Sequence, residues 1–101
     1  MDNVIPLRPR FAPEPEPLWR EAIGGQLRAE RTRRGERIAD VAGRAGVAPQ
    51  YLSELERGRK DPSSEVLSAV SGALGISVVE LTRRAGQRLV AGGRGPVCLA
   101  A

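Results

Sequence analysis

Two short amphipathic segments separated by a glycine, between Ile38 and Arg57, constrain this chain more than any other feature. The first, Arg37–Ala45, sets Ile38, Val41, Ala42 and Ala45 on one helical face. The second begins at Pro49, which a first helical turn tolerates, and sets Leu52 and Leu55 inward. Two helices crossing steeply through a turn of about three to four residues need a small residue where they cross, and Ala42 supplies it. The turn needs a residue at home at positive φ, and Gly46 supplies that. Val41, Val47, Leu52 and Leu55 are the branched apolar positions that lock such a pair together. The stretch therefore reads as a helix-turn-helix over residues 38–57.

The flanking sequence continues the helical pattern. Trp19, Ile23 and Leu27 recur every fourth residue, and Ala22 and Glu30 fill out a stripe that starts at Leu18 and ends near Gly35. Gly24 and Gly25 weaken this helix by about 1 kcal/mol each relative to Ala, so one of them is expected to admit a neighbouring helix at close range. After the Asp61-Pro62 turn, Ser63 or Ser64 caps a fourth helix through Leu74, with Val66, Leu67, Val70 and Leu74 inward. Ser77 caps a fifth from Val78, carrying Leu81, Ala85 and Leu89. No useful stretch alternates as a strand does. The expectation is an all-α, five-helix domain over residues 18–90. Before it, residues 1–17 hold five prolines and read as an extended or disordered arm, in which Arg8 and Arg10 either touch phosphate or do nothing. After it, residues 91–101 hold three Gly and a Pro and read as a flexible tail.

Composition removes several classes of function. With no His and only Cys98, the chain can assemble neither a Cys/His zinc site nor an internal disulfide, so no metal or cofactor is expected. No apolar run approaches the roughly 18 residues of a membrane span, and a cytoplasmic, nucleoid-associated protein is expected. No nucleophile is paired with a base, and no Gly-rich phosphate loop follows a strand, so the chain does not read as an enzyme. The charge is unevenly spread: residues 18–60 hold ten Lys/Arg against six acids, and residues 61–82 hold three acids and no base. A site for a polyanion and a merely solvated Arg-rich surface both fit that distribution.

The residues also carry a resemblance. Ile23-Gly24, Leu27-Arg28, Arg31, Val41-Ala42, Gly46-Val47, the run Tyr51–Gly58 and Leu74-Gly75-Ile76 resemble the Xre family, whose fold is shared with phage lambda-type repressors and Cro. Residues Tyr51–Leu67 look like the actinobacterial regulators of Clp protease genes, which are transcriptional activators. The resemblance implies a lambda-repressor-like domain that binds double-stranded DNA at a palindromic operator as a homodimer, with the helix from Pro49 in the major groove. An autoregulatory repressor, or an antitoxin-like protein with a protein partner, is the alternative use of the same fold.

In a helix entering the groove by its N-terminal end, the first two turns reach base edges. Pro49, Gln50, Ser53 and Glu54 are thus the candidate readers, and the Gln50 amide suits adenine. Arg37, Tyr51, Arg57, Arg59 and Lys60 are candidate backbone contacts, which set affinity and register rather than sequence choice. Ile38 stands where many relatives have a backbone-clamping Gln. Arg31 and Glu56 match positions that form a salt bridge in lambda-type domains. Leu81, Ala85 and Leu89 either meet a second copy or pack within the chain. The run Leu99, Ala100, Ala101 is similar to a degradation signal read by the Clp unfoldase-protease, which would make that machine a second partner.

Overall fold

The computed structural model describes residues 18–100, with side chains through Ala91. The Pro-rich arm of residues 1–17, and the side chains of the Leu99–Ala101 run, lie outside the described residues. Five helices and no strand make up the described chain: α1 Trp19–Arg33, α2 Ile38–Ala45, α3 Pro49–Glu56, α4 Ser64–Ala73 and α5 Val78–Ala100. The all-α, five-helix fold read from the sequence is the fold observed.

Each helix starts and stops for a local reason. At the head of α1, the Glu21 carboxylate accepts from the Leu18 backbone N–H at 3.0 Å, one half of a capping box. Gly46, at φ 77°, ends α2 and lets the Val47 N–H reach back to the Ala42 carbonyl at 3.0 Å. Ser63 caps α4 by accepting from the Val66 N–H at 3.1 Å. Ser77 does the same for α5 through the Glu80 N–H at 3.0 Å.

Packing joins α1 to α5 and α3, and α2 to α3 and α4. Ala22, Ile23 and Leu27 of α1 meet Val41, Ala42, Leu52, Leu55, Val70, Leu74, Leu81 and Ala85 in one buried core. Trp19 is not part of it. The packed body begins a turn later, at Ala22, and leaves the indole 46% exposed. The helix α5 also runs on past residue 90, where the sequence reading began a tail.

Glu30 is the unexpected member of the interior, a carboxylate 1% exposed on the inner side of α1. Arg84 of α5 donates to it at 2.6 Å and Gln26 at 2.8 Å, while Arg33 and Arg34 close from its own helix. Burial alone pushes the Glu30 carboxyl up, but the hydrogen bonds from Arg84, Gln26 and Arg33 outweigh it and hold the group at about 2. A buried charge persists only when it is paired and hydrogen-bonded, and this one ties α1 to α5.

Candidate nucleic-acid interface

The helix α3 is short, and its two faces have different work. Leu52 and Leu55 are each 1% exposed in the core, and Tyr51 is half-buried against it. Pro49 and Gln50 are exposed at its N-terminal end, while Ser53 and Glu54 are half-buried on the same outer side. Glu54 is paired with Lys60 at 3.4 Å, so its charge is partly met before any ligand arrives. Gly58, at φ 73°, turns the chain out of α3 and leaves Arg57, Arg59 and Lys60 exposed around that turn. Arg37, immediately before α2, is also exposed and pairs with Asp40 at 3.4 Å.

The opposite face of α3 is fixed to α1 at its C-terminal end. Arg31 grips Glu56 with both arms, Nε at 2.7 Å and Nη2 at 2.8 Å, and its Nη1 donates to the Glu36 carbonyl at 2.9 Å. The Glu56 hydrogen bond holds the Arg31 guanidinium above its ordinary pKa, against the opposing pull of burial. Gly24 lets the α1 backbone lie on the last turn of α3: a Cβ there would stand 2.1 Å from the Leu55 carbonyl oxygen and 2.9 Å from that of Glu56. Arg20 donates from Nε to the Gly58 carbonyl at 3.0 Å, holding the turn that follows. Of these three, the sequence reading paired Arg31 with Glu56, left Gly24 and Gly25 undecided, and missed Arg20. A signal was available, because positions 20, 24 and 31 fall on one face of a helix.

Leu81 and Ala85, read as possible contacts to a second copy, are each 0% exposed inside the single chain. Leu89 packs against the same core. Leu81 and Ala85 are thus spent within the chain and not free to meet a second copy, while Leu89 is only half-buried.

Residues 27–81 match the family described as helix-turn-helix. The chain belongs to the Xre-type helix-turn-helix family. It is 44% identical over 72 residues to the transcriptional regulator ClgR of Mycobacterium tuberculosis, a match covering 71% of this chain and 64% of that protein. The clp gene regulator ClgR of Corynebacterium glutamicum superimposes with a TM-score of 0.78 at 42% identity, covering 85% of this chain and 92% of that structure. The biofilm regulator SinR, solved in complex with DNA, superimposes with a TM-score of 0.56 at 38% identity, over 58% of this chain and 95% of that one. The actinobacterial resemblance read from Tyr51–Leu67 is thus matched by sequence and by structure.

Proposed function

We propose that this chain binds duplex DNA with α3 in the major groove and regulates transcription of clp protease genes as an activator. The observation that carries the reading is the division of α3 into two faces: Leu52 and Leu55 buried, Pro49 and Gln50 exposed, with a cationic turn at Arg57–Lys60 where phosphates would pass. Likeness to ClgR, a clp gene regulator, supports the choice of target genes. Gln50 is assigned to read adenine; Ser53 and Glu54 stand beside it, and Pro49 offers apolar contact to a thymine methyl. Arg37, Tyr51, Arg57, Arg59 and Lys60 are assigned to the backbone. One such helix covers too few base pairs for useful specificity, so a homodimer on a palindromic site is part of the proposal, through a surface other than Leu81 and Ala85.

The test is selection of binding sites from a random duplex pool by the purified full chain. A palindromic motif should emerge, and Gln50→Ala should relax preference at one base pair in each half-site, at a cost of about 1–3 kcal/mol. Failure to enrich any sequence at physiological salt would end the sequence-specific reading. Transcription in vitro from a clp promoter then decides the sign, since a fall in transcript on adding the protein would make it a repressor.

A further inference from the structure

A groove beside the C-terminal end of α3 is lined by Arg28, Arg31, Ile38, Ser53, Glu56 and Arg57. The bracing contacts do not exhaust it. Arg31 and Glu56 are bound to each other, and their charges offset. The Ser53 hydroxyl and two exposed guanidiniums remain, Arg28 from α1 and Arg57 from the end of α3. Among the described residues neither arginine meets a carboxylate. Every other arginine of α1 has a partner: Arg20 the Gly58 carbonyl, Arg31 the Glu56 carboxylate, and Arg33 the Glu30 carboxylate. Arg28 therefore stands apart, a cation from the supporting helix on the wall that the reading helix shares.

Two like charges on one concave wall repel until an anion sits between them, and a phosphate presents enough oxygens to accept from both and from a hydroxyl. The apolar Ile38, at the start of α2, lines the same groove and can donate nothing from its side chain. The donors on this wall come instead from Ser53, Arg57 and, from α1, Arg28.

We propose that this groove seats one phosphate of the DNA backbone, with Arg28 and Arg57 as its charged contacts and Ser53 as a neutral one. The assignment rests on the DNA-binding reading above. It adds α1 to the surface that touches the duplex.

The experiment measures the affinity of the full chain for a duplex selected by the wild type, and for a scrambled duplex, across a range of salt concentrations. Removing one phosphate contact lowers the slope of log affinity against log salt by about 1 and weakens binding about tenfold near 0.1 M salt. Arg28→Gln should do this on both duplexes by the same factor, leaving their ratio unchanged, and Arg28→Lys should keep the slope. Arg83→Gln is the comparison, since it removes the same charge from an exposed arginine of α5 that is already paired with Glu80. Its slope should match the wild type. An unchanged slope for Arg28→Gln, while the wild type still selects its site, overturns the groove assignment and leaves the DNA reading intact. Equal losses for Arg28→Gln and Arg83→Gln overturn it too, because a diffuse field would then explain both. A wild type that binds no duplex overturns the assignment together with the reading beneath it.

Discussion

Replacing Gly24 with Ala should destabilise the protein, although the same change inside an exposed helix stabilises by about 1 kcal/mol. The sign comes from geometry. The added methyl carbon would stand 2.1 Å from the Leu55 carbonyl oxygen. A comfortable carbon–oxygen contact is about 3.3 Å or longer, so the overlap exceeds about 1 Å. Its partner is the backbone of α3, which cannot swing aside as a flexible side chain does. Overpacking of this kind costs about 1–3 kcal/mol, and a rigid neighbour puts it at the upper end. After the propensity gain is subtracted, about 2 kcal/mol of net loss is expected. For a domain of this size that lowers the melting temperature by roughly 8–16 °C. Gly43→Ala supplies the reference, because among the described residues no atom outside its own helix lies within 4 Å of the Cβ position there. It should raise stability by about 0.5–1 kcal/mol. Urea denaturation of the two variants beside the wild type measures both. A Gly24→Ala protein as stable as the wild type would refute the claim that α1 and α3 meet backbone to backbone at this point.

Three further outcomes follow from the same contacts. Arg31→Ala should cost about 3–5 kcal/mol, since Glu56 would keep a charge with only 5% of its side chain exposed; a loss under about 1 kcal/mol in chemical denaturation would show the pair to be ornamental. Glu30 titrates at about 2 in the folded chain against 4.5 ordinarily, so the unfolded chain takes up its proton first and the Glu30 contribution to stability, complete above pH 4.5, is lost as pH falls toward 2. Glu30→Gln should therefore show a smaller drop in melting temperature between pH 7 and pH 3 than the wild type, and an equal drop would place the acid sensitivity elsewhere. Ser71 is 1% exposed and its hydroxyl has no hydrogen-bond partner among the described residues, so Ser71→Ala should be neutral or stabilising by up to about 1 kcal/mol in thermal melts.

Features written locally in the chain were legible in the sequence, and features requiring distant partners were not. The spacing of Val41, Ala42, Gly46, Leu52 and Leu55 carries the helix-turn-helix because every constraint falls within about four turns of chain. Ser63 and Ser77 announced their helices for the same reason. Glu30 looked like an ordinary polar filler of a stripe, since what stabilises it, Arg84, lies 54 residues away and joins only when α5 packs on α1. The stripe of Leu81 and Ala85 was visible as apolar, but apolar spacing alone does not say whether a helix packs at home or on a second copy. Trp19 matched the spacing of the core and stands outside it, because periodicity extends to a helix end whether or not a neighbour does. The outward set of α3 was readable as exposed, and the braces behind it only in part.

The separation of the two faces of α3 has an evolutionary consequence. Whatever fastens this helix (Gly24, Arg31, Glu56 and the Arg20 contact to the turn) acts on its inner side and C-terminal end. Pro49 and Gln50 stand outside the core, so their exchange leaves the scaffold unchanged. Under the proposed DNA-binding function, a lineage built on this chassis can change the words it recognises a letter at a time, without refolding the reader.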